Sequence, residues 1–311
     1  MSEPADVEVK VPFEVQAPHE GWRVDRYLAQ RLHGYSRAAV QRLIADGKVS
    51  IRGRAAKAST TVKDGDVVVI RYLRTPEPPP GVERLDVLYE DEQLLAVDKP
   101  AGVLSHPTDK IVRNAATSIL KLQLPGRKLH LAHRLDRETS GVLLFSRSPE
   151  AARALGEAFL ERRVEKEYLA AVAGRVTWET KTVDAPLGRE GGEIRVRQKA
   201  GEGRRAVTEF TRVDAGEEAS LVRCVPKTGR LHQIRVHLAL LGHPILGDKL
   251  YKGDGAAYMK AVRRELAEED LVALGARRQM LHAAKLTLAH PITGRMLVIE
   301  SPLPADFVLP G

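Results

Sequence analysis

The chain has 311 residues, 43% of them hydrophobic, a composition that suits a globular protein large enough for two domains and leaves no apolar run long enough to span a bilayer. Its 49 Lys and Arg against 41 Asp and Glu give a net charge of +8, which suits a polyanionic partner, whereas 5% aromatic residues provide no base-stacking platform. One cysteine, Cys224, excludes an internal disulfide, argues against a cysteine-based metal site, and fits a reducing cytoplasm.

In chain order, residues 1–20 read as an N-terminal extension, acidic at its start and unlike a signal peptide. Val24, Leu28 and Leu32 recur every four residues, which predicts an amphipathic helix over 23–32. Ser36 caps a second helix, 37–46, which Gly47 ends. Strands at 48–51 and 67–72 follow, with an Asp64-Gly65-Asp66 turn between them. Arg23, Arg26, Arg31, Arg37, Arg42, Lys48, Arg52, Arg54 and Lys57 crowd this stretch, as a solvated basic face or as a grip on nucleic acid.

Three successive prolines, Pro78 to Pro80, impose an extended spacer over 75–83 and separate a small domain, 21–74, from a large one, 84–311. In the large domain, 85–90 and 94–98 read as a hairpin around Asp91-Glu92, and Val142-Leu143-Leu144-Phe145 as a buried strand. A helix over 149–162 has Ser148 as its cap and Pro149 in its first turn. Further strands are predicted at 166–172, 194–198, 207–213, 221–225, 285–290 and 296–300, with a helix at 231–241 and a helical insertion at 255–278. So many hairpin-like neighbours, without regular strand–helix alternation, predict an α+β fold: a large, mostly antiparallel mixed sheet flanked by helices, behind a small α/β module.

Four segments carry chemistry-bearing residues. His133-Arg134-Leu135-Asp136-Arg137-Glu138-Thr139-Ser140-Gly141 packs charge against the buried strand, which is costly unless the charges are paired or used. A lone Asp-Arg pair there would read as a surface turn. In Val97-Asp98-Lys99-Pro100-Ala101-Gly102-Val103-Leu104-Ser105-His106-Pro107, the Pro-Ala-Gly turn leaves Lys99 and His106 near one rim. In Val164-Glu165-Lys166-Glu167-Tyr168-Leu169-Ala170, Lys166 and Tyr168 share one strand face with Ala170. In the run from Lys227 to His237, Leu231, Ile234, Leu238 and Leu241 share a helical face, and Arg230 sits at the helix start, where the dipole gives a cation no support and another partner is needed. No P-loop, dinucleotide fingerprint, HExxH or GxSxG motif is present, and His130, His133, His237 and His243 read as structural or RNA-contacting rather than metal-binding.

Taken in chain order, the four segments resemble those of the RluA-type pseudouridine synthases, enzymes that isomerise uridine in RNA. The run from Leu241 to Tyr251 and Leu281-His282-Ala283 continue the pattern, so the resemblance extends from Arg23 to about Phe307. The small domain, through Tyr35-Ser36-Arg37 and Gly47-Lys48-Val49, is similar to the S-four-type RNA-binding module. The position after Arg230, often Thr or Ser in the family, is Leu231 here.

The resemblance implies Asp136 as catalytic nucleophile, Tyr168 as general base and Arg230 as the partner holding Asp136. It places Arg134 in the space vacated by a flipped base, and His133, Lys99, His106, His232 and Gln233 against the substrate. Arg23, Arg26, Ser36, Arg37, Arg42 and Lys48 would form the grip of the RNA-binding module. Isomerisation gains and loses no atom, so neither cofactor nor metal is expected. The expected partner is RNA, ribosomal in preference to transfer RNA, for a cytoplasmic monomer; a non-catalytic RNA-binding factor is the less favoured alternative.

Overall fold

The two helices expected near the N-terminus form over Val24–Arg31 and Arg37–Ala45. Ser36 caps the second: its Oγ accepts from Ala39 N at 3.2 Å. Val24, Tyr27, Leu28, Val40 and Ile44 point inward and close on Val49, Ile51, Val68 and Ile70. The computed structural model describes residues 7–32, 35–74, 77, 81–108 and 111–307, in two units, Met1–Pro78 and Pro79–Gly311. Most of the expected proline spacer, residues 75, 76 and 78–80, lies outside the described residues.

The first unit's sheet runs in the order Val7–Glu14, Val67–Arg74, Val49–Ile51, Arg54–Ala55, all antiparallel. Residues 7–14 therefore correct the expectation of an N-terminal extension. They form an edge strand, where Pro12 is tolerated because an edge residue needs no donor on its open side.

In the second unit the main sheet runs Thr180–Asp184, Val207–Ala215, Ala219–Pro226, Glu165–Ala173, Leu281–Ala289, Ser140–Ser146, Leu94–Lys99, Asp86–Glu90. Met296–Glu300 adds to Leu281–Ala289, and His130–Leu131 to Ser140–Ser146. Every pairing among the described strands is antiparallel except that of Leu281–Ala289 with Ser140–Ser146. The α+β architecture with a large mixed sheet is thus as the sequence indicates.

At the parallel junction the backbones come so close that a Cβ on Gly141 would lie 2.2 Å from Ala283 O, at φ +110°. Only glycine fits there.

Ser140–Ser146 is buried along its whole length. Its alternate residues serve two cores. Leu143 and Phe145 join Leu95 and Val97 beneath the helix Ala116–Gln123, while Val142 and Leu144 join Leu94 and Ala96 beneath Pro149–Leu160. The helix Ala116–Gln123 is absent from the sequence expectations; it has no side-chain cap, and β-branched Thr117 and Ile119 weaken its local signal. A strand expected at 194–198 is instead the short ribbon Gln198–Ala200 paired with Leu187–Arg189. The insertion is helical, over Ala256–Arg263 and Glu268–Leu274.

A third core forms where Ile234 and Leu238, on the helix Gln233–Leu240, pack against Ala170, Val172, Phe210, Val222 and Cys224. That contact fixes which helical face meets the Asp136 loop. Among the described residues, no helix is long and apolar enough to cross a membrane.

Candidate active site

The residue on each side of Asp136 is pinned by the 99–105 segment. Ser105 Oγ accepts from Leu135 N and donates to Leu135 O, both at 2.9 Å. On the other side Gly102 N donates to Arg137 O at 2.8 Å, and Arg137 Nε returns a bond to Gly102 O at 3.0 Å. Lys99 Nζ reaches the same Arg137 carbonyl at 3.3 Å and also donates to Pro100 O and Val103 O at 2.9 and 2.8 Å.

Lys99 is fully buried, so its expected place at a substrate-facing rim is corrected: it ties the Pro-Ala-Gly turn to the Asp136 loop from beneath. Burial of the ammonium, opposed in part by the charge of Asp136, brings its pKa down to about 7. His106 is exposed, bonds Pro107 O through Nδ1, and lies outside the cleft lining; it too is corrected. Arg137, an arginine with an acid beside it in sequence, bonds a carbonyl and forms no ion pair among the described residues.

Asp136 lines a cleft of about 1070 Å³ together with His133, Arg134, Tyr168, His232 and Arg235. Its Oδ2 accepts from Arg235 Nη1 at 2.9 Å. Arg235 is nearly buried and turns its other edge to Asp248, with Nε and Nη2 donating at 2.7 and 2.8 Å. Asp248 is fully buried and also accepts from Leu250 N and Tyr251 N at 2.9 and 3.1 Å. Burial works against the charge on Arg235, but the Asp248 hydrogen bonds and the two carboxylates outweigh it and hold the guanidinium protonated. Asp248, opposed by burial in the same way, is held ionised by Arg235 and the two backbone donors.

The holder of Asp136 is thus Arg235, not Arg230. Arg230 lies in the turn before the helix, its Nε bonded to Arg205 O at 3.0 Å, and its neighbour Leu231 is exposed. A signal for Arg235 was present in the sequence. It falls between Ile234 and Leu238 on an inward stripe, where a charge needs a buried partner.

His232 begins the helix in a left-handed conformation, φ 56°, with Nε2 3.9 Å from Asp136 Oδ2. Tyr251 OH accepts from Gln198 N at 2.9 Å and lies 2.8 Å from His232 Nδ1. Burial and the charge of Arg235 lower the pKa of His232 to about 4, against the pull of Asp136 and Asp248. A neutral imidazole that accepts a hydrogen bond from the Tyr251 hydroxyl on Nδ1 carries its own proton on Nε2, facing Asp136.

His133 also lines the cleft, but its chemistry is structural. Nε2 accepts from Leu144 N at 3.2 Å, its ring stacks on Phe159, and burial takes its pKa down to about 3. Gln233 is likewise corrected: its Oε1 accepts from Thr228 Oγ1 and Arg230 N, and its Nε2 donates to Val207 O and Thr208 Oγ1, so its amide is committed to the protein. Tyr168 lines the cleft from the strand Glu165–Ala173. Burial and the charge of Asp136 push its phenol well above the ordinary value, so the resting side chain is a neutral donor and not a ready base. Arg134 is exposed at the cleft, with no ion pair among the described residues.

In the first unit, Asp25 is fully buried and accepts from Gln41 at 2.7 Å, from Arg37 at 3.0 to 3.2 Å and from Arg23 at 3.2 Å. Burial raises the carboxyl, but the three donors outweigh it and bring its pKa to about 2. Arg23, Arg37 and Ser36 therefore hold the module together before they hold any ligand. Arg26 lies over the Trp22 ring at 3.9 Å, Lys48 faces Asp46 at 3.3 Å, and Arg42 is exposed.

Residues 93–240 match the RNA pseudouridylate synthase family, and residues 22–68 match the S4 domain. The chain is 35% identical over 304 residues to ribosomal large subunit pseudouridine synthase C of Escherichia coli (strain K12), covering 93% of this chain and 92% of that protein. It is 37% identical over 297 residues to an uncharacterized RNA pseudouridine synthase of Mycobacterium tuberculosis, covering 92% of each. Among solved structures, human RNA Pseudouridylate Synthase Domain Containing 1 is 28% identical with a TM-score of 0.58, covering 73% of this chain and 86% of that one. The chain accordingly belongs to the RluA-type RNA pseudouridylate synthases, isomerases that convert uridine in RNA to pseudouridine, and carries an S4 module ahead of its catalytic domain.

Proposed function

We propose that this enzyme modifies uridines of large-subunit ribosomal RNA, with Asp136 as the nucleophile. The observation that carries the mechanism is the Asp136–Arg235–Asp248 array at the cleft: a half-exposed carboxylate held by a guanidinium whose other edge is locked in the core. The target is supported by the near full-length likeness to proteins named for that RNA.

In the reaction the C1′–N1 bond breaks, the uracil turns, C1′–C5 forms, C5 releases its proton and N1 gains one. A base stacked in RNA cannot enter the cleft, so the uridine is extruded, and Arg134 at the cleft mouth takes its place in the strand. Asp136 supplies the negative charge that stabilises or captures the cationic centre, while Arg235 fixes its direction. Tyr168 walls the cleft as a neutral phenol. It takes the C5 proton only in concert with loss of its own.

Pseudouridine mapping of ribosomal and transfer RNA from cells lacking the protein tests the target. Loss of one or more large-subunit sites, restored by wild type and not by Asp136→Asn, is the expected result. Loss confined to transfer RNA contradicts it.

A further inference from the structure

Besides Arg134, four cations line the cleft without a carboxylate partner among the described residues: Arg162, Lys166, Arg204 and Arg230. They gather at one place. Lys166 Nζ packs 3.5 Å from where a Cβ on Gly229 would stand, next to Arg230, and the charges of Arg204 and Arg162 both act on Arg230 and, with its burial, lower its pKa. Their immediate sequence neighbours behave differently. Arg163 pairs with Glu161 at 2.7 Å and Arg205 with Asp184 at 2.8 Å, and neither lines the cleft.

Like charges left unneutralised in a concave site repel one another at the expense of stability, and an anion removes the cost. Two further details point the same way. Arg162 occupies the left-handed position that follows the helix Pro149–Leu160, at φ 62°, where glycine is the favoured residue. Arg230 is tied back through Nε to Arg205 O, which leaves its two terminal nitrogens without a partner among the described residues.

We infer that Arg162, Lys166, Arg204 and Arg230 form a phosphodiester-binding subsite for the RNA strand flanking the extruded nucleotide. The subsite rests on the RNA substrate but not on which RNA it is. It gives Arg230 a task at the substrate backbone in place of holding Asp136, and it contributes strand affinity and register rather than base choice.

Single-turnover tritium release from RNA carrying 5-tritiated uridine, read against RNA and KCl concentration, tests this. Arg162→Gln and Arg204→Gln should each raise the half-saturating RNA concentration roughly tenfold, the loss of about one charge-assisted bond. Each should also reduce the slope of log affinity against log salt by about one, and the rate at saturating RNA should be kept. Arg162→Lys and Arg204→Lys should restore the slope, which a purely structural role would not require. Arg153→Gln, outside the cleft and paired with Glu157, should change nothing. Unchanged half-saturation and slope in the Arg162→Gln/Arg204→Gln double variant would overturn the subsite, as would a lower saturating rate at unchanged half-saturation. A wild type active on transfer RNA and silent on ribosomal RNA would overturn the target alone, because the slopes are then read on transfer RNA.

Discussion

Arg235 binds Asp136 with one terminal nitrogen, at 2.9 Å, while its remaining edge is held by Asp248 at 2.7 and 2.8 Å. The guanidinium is therefore a rigid bridge between the core and the cleft. A planar fork suits this better than an ammonium, which offers no second edge in a fixed direction.

Replacing Arg235 separates its two tasks. Arg235→Ala strands the buried Asp248 charge and should destabilise the protein by about 3–5 kcal/mol in urea unfolding. Arg235→Lys keeps a charge but not the fork. Its single-turnover rate should fall on the order of 100-fold, the effect of displacing a reacting group by about an ångström, with little change in RNA half-saturation. A full rate in Arg235→Lys would show that the fork is dispensable.

Lys99 carries a pH signature. Burial brings its pKa to about 7 from 10.5. Between those values the unfolded chain binds the proton and the folded one does not, so this group's contribution to stability rises with pH across that window and is smallest below pH 7. The stability of wild type minus that of Lys99→Met should therefore increase from pH 7 to pH 10. The same variant removes the amine from Arg137 O and should lower the chemical rate without weakening RNA binding. A difference flat with pH would mean that Lys99 keeps an ordinary pKa.

His133 gives the acid-side counterpart. Its pKa falls from 6.5 to about 3, so its contribution is complete above pH 6.5 and is lost as pH drops toward 3, where only the unfolded chain has gained the proton. His133→Gln, which keeps an acceptor for Leu144 N, should flatten part of the stability loss between pH 6.5 and pH 4. His232 adds a second loss over the same range, with its pKa near 4. An unaltered pH slope in His133→Gln would contradict the neutral imidazole.

The Asp136 loop and its buried strand are legible in the sequence because the apolar run from Val142 to Phe145 has no alternative to burial. Ser36 and Ser148 are legible too, because capping is local chemistry. What escapes is set by tertiary contact. Lys99 looks like a rim residue until the turn after it folds back and wraps three carbonyls around its amine. Arg230 and Arg235 lie five residues apart, and only the packing of Ile234 and Leu238 decides which of them faces Asp136. Asp248 sits in a recognisable stretch but gains its role only when Arg235 arrives from another element. Residues 7–14 alternate apolar with polar side chains as a strand does, but Pro12 interrupts the run, and their place at the sheet edge is set by pairing with Val67–Arg74.

As proposed, Asp136 carries the chemistry in a cleft that binds RNA without its help. Tritium release from 5-tritiated uridine in RNA, measured for wild type and Asp136→Asn side by side with RNA binding, tests it most directly. Wild type should release tritium and Asp136→Asn none, while the variant binds RNA within a few-fold of wild type, because one carboxylate contributes little beside the phosphate contacts. Tritium release by Asp136→Asn at a rate near that of wild type would contradict it.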